Sequence, residues 1–244
     1  MESSRKLLEV LLQFDSQKPV MAVSELAESV GLPLSSTYRY VGILRDVGLL
    51  EADPQGGYRV GARILPIAQA ARDASASLLQ VVRPVMQKIQ IECGETVLLV
   101  RREGNSVHCV DRVESDQAVR LSFDPGQPMR LHEGSSARVL LAAMPLAERS
   151  AYLDRLRESG IALTRRLEAA ELDRVIDEGW TESFEEVDQG IWGTAAAIQQ
   201  NGVVVAALGC AGPLYRLGTE QREAIIRAVR EGAQQVSEQL TRAS

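Results

Sequence analysis

Gly31-Leu32-Pro33-Leu34-Ser35-Ser36-Thr37-Tyr38-Arg39-Tyr40-Val41-Gly42-Ile43-Leu44-Arg45-Asp46-Val47 is the stretch on which the fold turns. Pro33 and then Ser35 open a helix. Thr37, Tyr40, Val41, Leu44 and Val47 step by three and four, which lines them up as one buried stripe. The other face carries Ser36, Tyr38, Arg39, Gly42 and Arg45. On the N-terminal side, Ser24 with Glu25 after it caps an earlier helix holding Leu26, Ala27 and Val30, and Gly31 ends it. Before that, Leu7, Leu8, Val10, Leu11, Leu12 and Phe14 give a mostly apolar first helix. On the C-terminal side, Leu49–Ala52 and Tyr58–Val60 flank Asp53-Pro54-Gln55-Gly56-Gly57, the pattern of a β-hairpin.

Two helices joined by a short turn, a third with a polar face and a glycine-tipped hairpin make a winged helix-turn-helix. A helix fits the major groove of B-DNA and brings its N-terminal turn to base edges and phosphates. Small hydroxyl residues there, Ser35 and Ser36, let backbone amides approach a phosphate oxygen. Arg39 is the candidate for a guanine contact or phosphate clamp, with Tyr38 and Arg45 beside it. Gly42 lets the groove wall come near, and Gln55 and Arg59 put the hairpin along the backbone or minor groove. Through residue 76 there are eight cations against nine acids, so one copy would bind weakly and lose affinity steeply with salt. Duplication doubles the contacts and matches a palindromic duplex, which predicts a homo-oligomer. The same module also serves protein–protein contacts, so an interaction adaptor stands as the rival reading.

Gly61–Ala76 is rich in alanine and ends in Ser75-Ala76-Ser77, a connecting helix. The chain therefore divides into a winged helix-turn-helix at 1–60, a linker helix at 61–77 and a second domain at 78–244. In the second domain Leu78–Glu92 is an amphipathic helix stopped by Gly94. Thr96–Arg101, Val107–Val113 and Ala118–Phe123 are strand-like. Helices are expected at Ser136–Ala143, Leu146–Glu158 and Glu168–Glu178. Ile191–Gln199 and Val203–Ala211 flank Asn201-Gly202, a dipeptide that accepts the positive φ angles of a type I′ turn. Thr219–Leu240 closes the domain as a long helix. Helices mixed with antiparallel hairpins give an α+β class.

Composition narrows the functions. The 244 residues are 25% charged and 45% hydrophobic, with a formal charge of −6. The isoelectric point near 5.2 argues against coating nucleic acid or anionic membrane by charge alone. Val203–Leu208, as long an apolar run as any in the chain, falls far short of the roughly 20 residues a bilayer span needs. The first residues reach Glu9 and Asp15 without a signal-peptide pattern, so the chain is read as cytoplasmic. Cys93, Cys109 and Cys210 are odd in number and form no Cys-x-x-Cys pair, and His108 and His132 are the only histidines. No metal site and no cofactor are expected. An enzyme is a weaker rival. Gly134-Ser135-Ser136-Ala137-Arg138 lacks the last glycine of a nucleophile elbow, no phosphate-binding glycine loop occurs, and adjacent His108 and Cys109 point to opposite faces of a strand.

Several segments together resemble the isocitrate-lyase-regulator, or IclR-type, transcription factors. They are Val23-Ser24-Glu25-Leu26-Ala27, Gly31-Leu32-Pro33 with Ser35, Ser36 and Arg39, Gly48-Leu49-Leu50-Glu51 and Gly57-Tyr58-Arg59-Val60-Gly61. Gly94-Glu95-Thr96-Val97, Asp111-Arg112-Val113-Glu114-Ser115, Leu131-His132 and Gly190–Ile198 continue the match. The likeness spans essentially the whole chain in one order. It implies a dimeric or tetrameric repressor or activator, with a C-terminal GAF-like domain that binds a small effector, commonly an organic acid or aromatic.

Gly134-Ser135-Ser136 begins a helix whose free amides suit a carboxylate, although these serines could equally serve only as caps. The resemblance puts an effector loop here. Relatives that bind small keto-acids carry an aspartate near 183, a cysteine near 193 and serines near 209 and 211. This chain has Ser183, Gly193, Gly209 and Ala211, so a tiny polar acid would leave hydrogen bonds unmade at about 1–3 kcal/mol each. The expected cavity is roomier and more apolar, and its effector an aromatic or apolar acid. Cys210 lines its wall, and Trp192 stacks on the ligand, sits in the core or faces a subunit interface. Arg130 either pairs with the anion or is a plain exposed strand arginine, and His132 is a structural histidine. Glu182, Glu185, Glu186 and Asp188 form a solvated acidic loop.

Overall fold

A computed structural model describes residues 2–15, 17–126 and 128–242, and its contacts divide the chain into Met1–Ala76 and Ser77–Ser244. In the first unit, helices α1 (Glu2–Leu11), α2 (Val23–Val30) and α3 (Leu34–Asp46) pack with a three-stranded sheet. The strands are β1 (Val20–Met21), β2 (Leu50–Ala52) and β3 (Tyr58–Val60), in the order β1-β3-β2. Val10, Leu26, Tyr40, Val41, Leu44 and Leu50 are buried together at its centre. Gly57, at φ 84°, turns the hairpin tip so close to Met21 that a Cβ there would lie 2.8 Å from its carbonyl oxygen.

Two expectations need correction here. The cap of α2 is not Ser24. Ala22 holds the N-cap position, and its N–H donates to Glu25 Oε2 at 2.7 Å. Val47 is not part of the buried stripe: it is 41% exposed, because α3 ends at Asp46 and the chain leaves the helix axis. The two-residue strand β1 is too short to show an alternation in the sequence.

Helix α4 (Ile64–Cys93) runs unbroken across the division between the units. The expected linker helix and the helix after it are thus one element. Ser75-Ala76-Ser77 contains nothing that breaks a helix, since alanine and serine are tolerated inside one. Pro84 lies on the exposed side of α4, where water can hydrate the carbonyl group its missing N–H leaves free.

In the second unit, six antiparallel strands run in the order β6-β5-β4-β9-β8-β7. They are β4 (Thr96–Glu103), β5 (Ser106–Val113), β6 (Pro128–Arg130), β7 (Trp180–Phe184), β8 (Ile191–Gln200) and β9 (Val203–Pro213). One face packs on α4 and on α8 (Thr219–Arg242) through Val97, Leu99, Ile198 and Leu208. The other packs on α5 (Ser135–Ala142), α6 (Leu146–Glu158) and α7 (Ala169–Glu178) through Leu98, Val100, Ala195 and Ala207. Helices on both faces explain why Val97-Leu98-Leu99-Val100 reads as one apolar run. Asn201 at φ 52° and Gly202 at φ 77° join β8 to β9.

The hairpin β8–β9 lies inside the sheet rather than at its edge, with β4 on one side and β7 on the other. Strand β7 shows no apolar alternation in the sequence, because its buried positions are the hydroxyl residues Thr181 and Ser183. Ala118–Phe123 is not a strand. Side chains hold its carbonyls instead: Thr96 Oγ1 donates to Leu121 at 3.0 Å and Arg216 Nη1 to Val119 at 2.9 Å. β6 takes the edge of β5 that this segment would have needed.

Candidate functional site

Helix α3 buries Thr37, Tyr40, Val41 and Leu44 and turns Ser35, Tyr38, Arg39 and Arg45 outward. Ser36 and Gly42 are half-buried at the margins of that stripe, and a Cβ at Gly42 would meet nothing within 4 Å. The Arg39 guanidinium rests against Tyr40, 5.2 Å from the ring centroid, with Nη2 at 3.5 Å from Tyr40 Oη. Arg45 meets the exposed carboxylate of Asp46 at 3.2 Å. Gln55 is exposed at the hairpin tip. Arg59 is committed more deeply: its Nε donates to Glu51 at 2.7 Å and its Nη1 lies 3.6 Å from Asp53. A phosphate would have to compete with two carboxylates for it. The face brings the α3 candidates together as one surface, and Arg59 contributes the least free charge to it.

In the second unit a cavity of about 70 Å³ lies between the sheet and the N-terminus of α5. Its apolar wall includes Leu98, Val100, Val107, Leu121, Phe123 and Met129. Ser135, Ser136, Ser183, Glu133, Glu186 and Asp188 supply the polar groups. Ser183, Gly193 and Ala211 are neighbours across three strands and face this side. At Gly193 a Cβ would stand 3.3 Å from both Ser135 Oγ and Ser183 Oγ, so its absence leaves the floor of the cavity open.

Other candidates are placed differently. Gly209 does not enlarge the cavity, because the Ser136 hydroxyl already occupies the space where its side chain would be. Cys210 belongs to the opposite face of the sheet, in the α4/α8 core, so it does not line this wall. Trp192 borders the cavity, but its fully buried ring packs in that same core and its Nε1–H donates to Glu182 Oε2 at 3.0 Å. Strand parity separates these residues: positions one apart project to opposite faces. In this structure the cavity is small. Its volume is about half the roughly 150 Å³ that holds a benzene-sized ligand. The N-cap of α5 is Gly134 and no side chain caps it, so the serines are not caps. Arg130 is 72% exposed and pairs with Glu133 at 2.7 Å.

Of the four acidic residues, one within β7 and three after it, Glu185 and Asp188 are exposed as in a solvated loop, whereas Glu182 and Glu186 are half-buried and paired. Glu182 holds Trp192, Glu185 accepts from the N–H of Gly190 at 2.7 Å, and Glu186 turns inward. Glu186 Oε2 accepts from the Gly134 N–H at 3.3 Å and forms an ion pair with Arg138. Arg138 is 1% exposed and also donates to Thr181 Oγ1 at 3.3 Å and to the Glu182 carbonyl at 3.1 Å. Burial draws its pKa down and the Glu186 carboxylate opposes that shift. Sequence reasoning missed this pair. Its signal was an arginine in the middle of the apolar run Ala137–Ala142, where a charge needs a partner. His132 Nδ1 lies 2.7 Å from Tyr152 Oη, and burial lowers its pKa. Burial also pushes the thiols of Cys93 and Cys109 up to about 11, so they stay protonated and poorly nucleophilic near neutral pH. Among the described residues no His, Cys, Asp or Glu group could hold a metal ion, and no helix is long and apolar enough to cross a membrane.

Comparisons with known proteins agree with this two-part layout. The IclR helix-turn-helix domain matches residues 3–54, and the bacterial transcriptional regulator IclR C-terminal domain matches residues 72–238. The HTH-type transcriptional regulator KipR of Bacillus subtilis is 28% identical over 235 residues, 94% of each chain. The repressor AllR of Klebsiella pneumoniae is 28% identical over 225 residues, 88% of this chain and 81% of its own. An IclR homologue from Microbacterium hydrocarbonoxydans, crystallised with 4-hydroxybenzoate, has a TM-score of 0.78 at 25% identity, covering 99% of this chain and 100% of that one. With both domains matched in order and the relatives aligned nearly end to end, the chain belongs to the IclR family of transcriptional regulators, with an N-terminal DNA-binding helix-turn-helix and a C-terminal effector domain.

Proposed function

We propose that α3 reads operator DNA through Ser35, Ser36, Tyr38, Arg39, Gly42 and Arg45, with Gln55 and Arg59 along the flanking backbone. A small aromatic or apolar acid in the cavity beside α5 modulates that binding. Arg39 is the observation that carries the first half: an exposed guanidinium held by no carboxylate among the described residues, on the face opposite the buried stripe. A nearly neutral module makes few phosphate contacts alone, which supports a homodimer or homotetramer on a palindromic site. A ligand that prefers one arrangement of that oligomer shifts its operator affinity. Such a protein works where the chromosome is, in the cytoplasm, and no catalytic step enters the reading.

For the effector, Gly134, Ser135, Ser136, Ser183, Gly193 and Ala211 are the contacts retained from the sequence. The apolar wall and the aromatic ligand of the Microbacterium homologue both support an aromatic body. The test is a gel shift on the DNA upstream of the chain's own gene, at two salt concentrations. Arg39→Ala weakens operator binding by about 1–3 kcal/mol and leaves folding intact. Unchanged binding by that variant removes α3 as the reading element, and no shift by the unaltered chain favours a protein-interaction adaptor.

A further inference from the structure

The cavity beside α5 holds a carboxylate of its own. Glu186 lines it, and Glu186 Oε2 sits where the first N–H of the helix end, at Gly134, and the Arg138 guanidinium converge. Arg138 is 1% exposed, and its Nε is buried without a hydrogen-bond partner. A buried guanidinium must keep a counter-ion, because leaving it unpaired costs several kcal/mol. Glu186 itself comes from the exposed segment 185–190. Glu185 has a positive φ of 52° there, and Val187, Asp188 and Gln189 are exposed. The same segment presses on the helix start: a Cβ at Gly134 would lie 3.1 Å from Val187 Cγ2.

Resting on the effector reading above, the geometry points to Arg138 and the Gly134 N–H as the binding site for the effector's carboxylate, with Glu186 as a displaceable internal occupant. Charge and volume lead to it separately. A ligand anion beside Glu186 would meet a like charge, whereas one that replaces it inherits the ion pair and lets Glu186 turn to water. A cavity of about 70 Å³ is too small for an aromatic acid, and withdrawing 185–190 opens the wall that Glu186, Val187 and Asp188 form. Entry of the anion and movement of the segment are then one event. A neutral ligand of the same shape gains nothing from the exchange.

Sodium benzoate and benzamide are the probes, matched in shape and differing in charge. Their dissociation constants are measured by calorimetry on the full-length chain and on Glu186→Gln, with amide exchange followed through 185–190. Glu186→Gln tightens benzoate on the order of tenfold, the scale of one charge-assisted hydrogen bond, and leaves benzamide within about twofold. In the unaltered chain benzoate speeds exchange through 185–190. Benzoate affinity unchanged or weaker in Glu186→Gln overturns the proposal, as does slower or unaltered exchange. Where Glu186→Gln is too unstable to titrate, benzoate raising its melting temperature more than that of the unaltered chain supports the proposal, and equal shifts from both probes overturn it. Benzamide binding without benzoate in both proteins sinks this proposal alone. No binding of either probe sinks the effector reading of the cavity, and this proposal with it.

Discussion

On α3 the guanidiniums of Arg39 and Arg45 stand at the surface, one against a tyrosine and one beside an exposed aspartate. On α5 the guanidinium of Arg138 is buried and carries its counter-ion with it. Arg39 and Arg138 are both candidates for meeting an anion from outside. The first is open to a phosphate without rearrangement, and its charge is solvated until the duplex arrives. The second cannot wait uncompensated, so the fold supplies Glu186. A surface site is always available and screened by salt. A buried one is worth more per contact but must first give something up, and that obligation couples binding to movement.

The comparison breaks most visibly at the buried pair. Glu186→Met strands the Arg138 charge and lowers stability by about 3–5 kcal/mol, the cost of removing one partner of a buried ion pair. Arg138→Met costs less, because the Glu186 side chain is already 21% exposed and turns to solvent. Urea unfolding of both variants reads the asymmetry. Equal losses, or losses below about 1 kcal/mol in both, would mean that Arg138 is not held as a buried charge. Arg39→Ala, by contrast, stays within about 0.5 kcal/mol of the unaltered chain in stability, as an exposed side chain should.

The two glycines beside α5 sharpen the comparison at smaller cost. Gly209→Ala drives its new methyl into Ser136 Oγ, so that Ser136 must leave its rotamer or α5 must give way, an overpacking that costs about 1–3 kcal/mol. At Gly193 the nearest atoms are hydroxyl oxygens at 3.3 Å, so Gly193→Ala costs less than about 1 kcal/mol and instead takes space from the cavity. Thermal melts with and without benzoate separate the two. Gly209→Ala lowers the midpoint, whereas Gly193→Ala chiefly reduces the shift benzoate produces. The reverse pattern would exchange the roles assigned to the two positions.

These glycines also mark what can be read from a linear chain. The α3 stripe was legible because its three-and-four spacing is a property of the helix itself, and Asn201-Gly202 because a two-residue turn needs positive φ. The cavity depends on strand parity across a sheet, which no single strand reveals. Gly209, Cys210 and Ala211 look like one small-residue wall, yet Cys210 faces the other core and Gly209 lies under Ser136. Strand β7 hid its alternation in buried hydroxyls: Thr194 Oγ1 from the next strand donates to the Thr181 carbonyl at 3.0 Å, and Ser183 Oγ to the Gly193 carbonyl at 3.4 Å. The partner of Arg138 is 48 residues away in sequence. Only the oddness of an arginine in that helix was visible beforehand.

The smallest effect concerns His132, which precedes the α5 N-terminus and lies against Tyr152. Burial holds its pKa below the ordinary value near 6.5, with Glu133 opposing that shift. The folded state therefore prefers the neutral ring, while the unfolded chain takes the proton first as pH falls. Its contribution to stability is complete above about pH 6.5 and is lost as pH drops from there through the lowered folded value. With only two histidines in the chain, few other groups titrate in that window. Urea midpoints between pH 7.5 and 5 should decline more steeply for the unaltered chain than for His132→Gln, which cannot take the proton. Parallel declines would mean that His132 is as free to ionise in the folded protein as in water, and that the helix start beside the cavity is wetter than its packing indicates.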